Sequence, residues 1–216
     1  MTADFEQRRV KLSTGVELDV VDMGPRDAPA LIFLHGFPES HRTWRHQLPH
    51  FATRFRCIAP DQRGYRGSSK PQEVEAYTPD KLIADIFALA DALGVDRFTI
   101  VGHDWGGAIA WGVALGGQPG GLHPAWAGRV TRAVIANAPH PGIFQRLVAT
   151  DEAQRAASQY IRPSATPRAM RLSRSMGSPA FSPMLLRTAC RAAASSPPTR
   201  SAGCSRIGRI ATRAAR

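Results

Sequence analysis

Apolar and polar positions alternate along the first 140 residues with two distinct periods. The runs Ala30 to Leu34 (ALIFL), Phe55 to Pro60 (FRCIAP), Phe98 to Val101 (FTIV) and Val130 to Ala136 (VTRAVIA) read as strands. Three of them are short and largely apolar, as strands covered on both faces of a parallel sheet must be. Upstream, Arg9 to Leu12 and Val16 to Val21 alternate around Ser13, Thr14 and Gly15, which predicts an antiparallel edge hairpin. Between the later strands the period lengthens. Leu82, Ile86, Leu89 and Leu93 share one helix face, with Thr78 and Pro79 as the start signal and Gly94 as the stop. Ser40 precedes Trp44, Leu48 and Phe51 at helical spacing, and Ile143 to Ile161 reads as a further helical segment. Strands that alternate with helices imply βαβ crossovers, hence an α/β fold with a mainly parallel sheet and helices on both faces.

Sheets of this kind carry their sites beyond the carboxyl ends of the strands. The polar, glycine-rich segments of the chain fall there: HGFPES (35–40), DQRGYRGSSKP (61–71) and GHDWGG (102–107), each after a strand. Three such loops would meet at one rim. A fourth glycine-rich stretch, GGQPGGLHPAWAGR (116–129), reads as a surface loop.

The segment VGHDWGGA (101–108) has the outline of the G-x-S-x-G nucleophile elbow, with Asp104 in place of the serine. One account is a helix N-cap, since a carboxylate is favoured at the positive end of a helix dipole. A cap, however, does not call for Gly102 and Gly106 two residues to either side. The other account is a nucleophile, and the residue type then selects the electrophile. Serine attacking an sp3 carbon would leave an inert ether, whereas a carboxylate leaves an ester that water can cleave. The suitable electrophile is therefore a strained epoxide or a carbon bearing a halide. Cleaving the ester passes through an oxyanion, for which the backbone N–H groups of Phe37 and Trp105 are the natural donors. His35 is placed to brace the Phe37 loop, and His103 and His140 read as structural.

Charge divides the chain. Residues 1–161 hold 17 Lys and Arg against 17 Asp and Glu, and all of the formal net charge of +11 comes from 11 arginines in residues 162–216, which contain no acid. That tail is also rich in Ala, Ser and Pro and has Phe181 as its one aromatic residue, a composition that buries little apolar surface. As a basic arm it would contact nucleic acid only through salt-sensitive phosphate contacts, because aromatic residues for base stacking are lacking. Three cysteines at no metal-like or disulfide-like spacing, no secretory leader and no membrane-length apolar run predict a cytoplasmic protein without a membrane anchor.

HGFPES, DQRGYRGSSKP, VGHDWGGAIAW and NAPHP (137–141) resemble the α/β-hydrolase superfamily, specifically its epoxide hydrolase and haloalkane dehalogenase branch, over residues 8–160. The resemblance implies Asp104 as the nucleophile of an alkyl-enzyme ester, with Phe37 and Trp105 as oxyanion donors. It further implies a helical cap with Tyr160 as an epoxide-polarising tyrosine, and no cofactor or metal. Haloalkane dehalogenases typically carry Asn at the position of Phe37, so phenylalanine points to small apolar epoxides, with a haloalkane or haloacid dehalogenase as the alternative. The family also requires a late histidine base and an acid to orient it, yet no histidine follows His140. The expected organisation is an N-terminal core (8–140) lacking the final two strands, the start of a cap (141–161) and a tail (162–216) arising from a reading-frame shift. The expected consequence is an enzyme-derived chain that is inactive or limited to one turnover. The alternative of another class is a non-catalytic protein whose basic tail binds nucleic acid.

Overall fold

A computed structural model of the chain describes residues 5–159. Six strands form one sheet: β1 (Gln7–Lys11), β2 (Glu17–Met23), β3 (Ala30–Leu34), β4 (Arg56–Pro60), β5 (Phe98–His103) and β6 (Val130–Ala136), in the spatial order β1-β2-β4-β3-β5-β6. The β1–β2 hairpin and the β2–β4 pair are antiparallel, and β4, β3, β5 and β6 run parallel. The predicted edge hairpin and the four apolar strands are therefore present, and the fold class is the α/β one expected.

Period-two alternation divides the strand side chains between two cores. Ile32, Leu34, Ile58, Phe98 and Ile100 face α2 (Pro79–Ala92) and α3 (Trp105–Gly116), while Phe33, Cys57 and Ala59 pack with Trp44 and Leu48 on the opposite face. The helix face anticipated in α2 is buried through Leu82, Ile86 and Leu89. Burying each such side chain stabilises the fold by roughly 1.5–3 kcal/mol. Gly94 adopts φ +65° and closes α2, as its place in the sequence suggested. Thr78 occupies the N-cap position, but its side chain makes no capping bond, and Pro79 alone provides the preorganised start.

Two helices are divided where one continuous helix was expected. After Ser40, a short 3-10 turn (His41–Trp44) precedes α1 (Gln47–Phe51). The reason is Pro49, which lacks the N–H that a helix running through from Ser40 would use and so can sit only in a first turn. The stretch from Ile143 is divided into α4 (Pro141–Thr150) and α5 (Glu152–Ala157) by Asp151, whose extended backbone and side-chain bond from the Gln154 N–H at 2.9 Å start a new helix. The glycine-rich segment 116–129 is a surface loop, as read from the sequence, with 118–125 exposed, but it is tied down. Trp126 stacks on Phe87 with ring centroids 4.4 Å apart, and Arg129 pairs with Asp91 at 2.6 Å, so the segment is fastened to α2.

Candidate functional site

The three rim loops converge on Asp104. This residue joins β5 to α3 with φ 52° and ψ −120°, a conformation that costs a non-glycine residue on the order of 1–3 kcal/mol. The surroundings hold it there. Its amide donates to the Ala136 carbonyl at 3.1 Å, and its own carbonyl accepts from the Ala108 amide at 3.1 Å. A side chain on Gly102 would begin 2.5 Å from the Gly106 carbonyl oxygen, and one on Gly106 would run into the carbonyls of Leu34 and His35. The flanking glycines thus permit a tight turn that presents the carboxylate outward.

Asp104 stands at the N-cap of α3, but its side chain forms no capping hydrogen bond with the helix. Instead Oδ1 accepts a 2.8 Å bond from the backbone N–H of Phe37, across 67 residues of sequence. The loop after β3 and the elbow after β5 are therefore in register at the level of single atoms. Trp105 is the first residue of α3, where an amide N–H has no acceptor within its own helix. Of the two backbone donors named from the sequence, Phe37 is hydrogen-bonded to this carboxylate and Trp105 is the next residue in the chain.

His35 is fully buried, and its ring serves the loop framework. Nε2 accepts from the Gln62 amide at 3.1 Å, which leaves the proton on Nδ1 to donate to the Gly36 carbonyl at 2.8 Å. The Gln62 side chain returns a 2.7 Å bond to the His35 carbonyl. Burial lowers the imidazole pKa, outweighing its bond to Gly36 and the nearby carboxylates, so the ring is neutral. It fixes the position of Phe37 and does not itself face a ligand. Beneath it, Asp61 accepts from the His41 amide at 2.8 Å, and Arg63 forms a buried fork with Asp85, tying the loop after β4 to α2. His140 caps α4 and packs edge-on against Trp111, the structural place anticipated for it. Tyr160 lies outside the described residues.

Three residues near Asp104 went unnamed in the sequence reading. Glu39 Oε2 accepts from the Gly36 amide at 2.8 Å and lies 3.3 Å from His103 Nδ1. Desolvation would raise the pKa of this carboxyl, but the Gly36 amide, Thr43 and His103 together hold it below its usual value. Asn137, itself at φ 57°, approaches His103 Nε2 at 3.4 Å. Tyr65 packs edge-on against His35, and its phenol is held neutral by burial, reinforced by the charges of Asp104 and Glu39. The signal was present in HGFPES and NAPHP, whose polar residues fall in the rim loops. Which of them reach Asp104 depends on the relative placement of β3, β5 and β6. Among the described residues no group of three metal-ligating side chains exists.

The family model described as the alpha/beta hydrolase fold matches residues 29–173, about two thirds of the chain. The chain belongs to the alpha/beta hydrolase fold family. The match extends past Ile161, where the composition changes. Among curated proteins, epoxide hydrolase 1 of Caenorhabditis elegans is 38% identical over 157 residues, covering 73% of this chain and 36% of that protein. Epoxide hydrolase A of Mycobacterium tuberculosis is 47% identical over 104 residues, 48% of this chain and 32% of that one. Among solved structures, an α/β hydrolase described with novel epoxide hydrolases in metagenomes from hot environments is 61% identical, with a TM-score of 0.73. That alignment covers 92% of this chain and 62% of the other. The chain thus spans about a third of the length of these two curated relatives, both named epoxide hydrolases.

Proposed function

We propose that this chain is an epoxide-opening α/β hydrolase that uses Asp104 as nucleophile against small apolar epoxides. The observation that carries the reading is a carboxylate on a strained elbow, with the Phe37 N–H 2.8 Å from its Oδ1. In the first half-reaction a carboxylate oxygen attacks an epoxide carbon, the ring C–O bond breaks, and the alkoxide takes a proton from solvent. The product is a 2-hydroxyalkyl ester of Asp104. As the ester carbonyl becomes a tetrahedral oxyanion, the Phe37 and Trp105 amides supply the donors. Phe37 has no side-chain donor to hold a departing halide, which favours an epoxide over a halide substrate.

The relatives' names support this chemistry; in this reading Asp104 is the nucleophile, Phe37 and Trp105 are the oxyanion donors, and His35 braces the Phe37 loop. In this reading residues 8–140 form the catalytic core, 141–161 begin a cap, and the chain resides in the cytoplasm without a nucleic-acid partner. Among the described residues no helix is long and apolar enough to cross a membrane. Incubation with styrene oxide followed by peptide mass spectrometry tests the reading. One hydroxyalkyl group is expected on the peptide containing Asp104, and none on Asp104→Asn. Neither adduct nor diol from the native chain would refute it.

A further inference from the structure

We propose that Arg8 and Arg26 form a binding site for a phosphate dianion, either inorganic phosphate or a small phosphate monoester, at the end of the sheet opposite Asp104. The site is independent of the epoxide chemistry.

Asp22, in β2, has a side chain only 1% exposed, and three arginines converge on it. Its Oδ2 accepts from Arg8 Nη2 at 2.6 Å, from Arg56 Nη2 at 3.0 Å and from Arg26 Nη1, while Oδ1 accepts from Arg56 Nε at 3.1 Å. A carboxylate oxygen offers about two lone-pair sites, so three donors on Oδ2 exceed what it can satisfy. The surplus falls on Arg8 and Arg26. Arg56 is buried and is held a third time, through Nη1 to the Leu93 carbonyl at 3.0 Å. Arg8 and Arg26, by contrast, have side chains 49% and 56% exposed, and each commits a single nitrogen to the protein. Their remaining N–H groups face solvent beside a common anchor.

Three guanidinium groups against one carboxylate leave two positive charges, and among the described residues no second carboxylate pairs with Arg8 or Arg26. Desolvation would raise the Asp22 pKa, but Arg56 and Arg26 hold it below its usual value, so the carboxylate stays ionised at neutral and mildly acidic pH. A dianion matches the surplus. A phosphate group also offers oxygens to both guanidinium forks, the pairing in which arginine forms its strongest hydrogen bonds. A phosphodiester carries one charge and leaves the other unmatched. Ala30 of β3 pairs with both Arg56 and Phe98, so Arg56 is level with the start of β5, six residues and roughly 20 Å from Asp104.

The test is calorimetric titration of the full chain with phenyl phosphate at constant ionic strength. Arg8→Gln and Arg26→Gln are each expected to weaken binding at least about tenfold, the loss of one charge-assisted hydrogen bond. Both side chains are half exposed and Asp22 keeps Arg56 in either variant, so either one alone decides. The eleven arginines of residues 162–216 are common to all three proteins, and the difference between them isolates the cluster. A second readout is pH. A phosphate monoester loses its second charge below a pKa of about 6, so the binding that depends on Arg8 and Arg26 should fall about tenfold between pH 7.5 and pH 5. Inorganic phosphate binding as tightly as phenyl phosphate identifies the free ion as the ligand, and weaker binding identifies a monoester. Equal affinity in the native chain and both variants, or a variant-sensitive affinity that is unchanged at pH 5, overturns the site. A short oligonucleotide that displaces phenyl phosphate from the native chain, and binds it tighter than either variant, replaces the dianion with nucleic acid and overturns it as well.

Discussion

Gly106, in the first turn of α3, lies directly against the carbonyl oxygens of Leu34 and His35 at the end of β3. Those oxygens belong to a central strand and cannot swing aside, unlike the tip of a side chain. Gly106→Ala is therefore expected to cost at least about 3 kcal/mol, at or beyond the usual range for overpacking. Gly15, by contrast, has open space around its Cα and is restricted only by φ +81°, so Gly15→Ala should cost about 1–2 kcal/mol. Urea unfolding midpoints compare the two. Equal losses would show that α3 can shift away from β3 and that the contact does not fix the elbow.

Asp104 is predicted to reduce stability for the sake of its position. Glycine adopts φ 52° and ψ −120° without penalty, so Asp104→Gly should raise the free energy of unfolding by about 1 kcal/mol, net of glycine's greater unfolded entropy. The same change removes the acceptor for the Phe37 amide, which limits the gain. Thermal melting checks the sign, and mass spectrometry with an epoxide should find no adduct at position 104. A variant less stable than the native chain would mean that the Phe37 bond outweighs the backbone strain.

Arg63 and Asp85 are joined by two bonds, 2.8 Å and 2.6 Å long, in a region with little water, and Thr14 donates to the same carboxylate at 2.6 Å. Removing one partner strands the other charge. Asp85→Ala is expected to cost about 3–5 kcal/mol, whereas exposed pairs such as Arg9 with Glu17 contribute under about 1 kcal/mol. Denaturant titration of both single variants makes the comparison, and similar losses would disprove the burial argument.

The sheet was legible because its strands carry period-two patterns bounded by glycine-rich loops, and the elbow because Gly102, Asp104 and Gly106 form a local motif. Helix breaks were harder to read. Pro49 and Asp151 interrupt runs whose apolar spacing continues through them, and only a search for missing N–H donors or capping side chains separates the pieces. The Trp126 stack on Phe87 was hidden for another reason: it joins residues 39 positions apart, and no local pattern in a glycine-rich surface loop points to a partner that distant. Glu39 escaped notice because its relevance comes from the pairing of β3 with β5, which brings Gly36 against Asp104. Local sequence patterns identify loops well, and they carry no information on which atoms of two loops touch.

His35 predicts a pH dependence of stability with a definite sign. In the fold its Nε2 accepts from the Gln62 amide, and a proton there would set two donors against each other in a dry site. Burial accordingly lowers its pKa below the ordinary 6.5, while the unfolded chain keeps that ordinary value. Above it, both states are neutral and this residue contributes no slope. As the pH falls below about 6.5 the unfolded state takes up a proton that the folded state refuses, so stability declines by up to about 1.4 kcal/mol per unit. The loss continues until the pH reaches the lowered folded value. Asp61 and Asp22, whose pKa values are also lowered in the fold, extend the loss at more acidic pH, in the range where unfolded carboxylates protonate. The measurement is the free energy of urea unfolding between pH 8 and pH 5 for the native chain and His35→Asn. The native chain should be level down to about pH 6.5 and then fall, and the difference between the two proteins should shrink as the pH drops. A difference that stays constant across that window would mean that His35 takes up a proton in the fold as readily as in the unfolded chain, and the hydrogen-bond assignment that braces Phe37 would then be wrong.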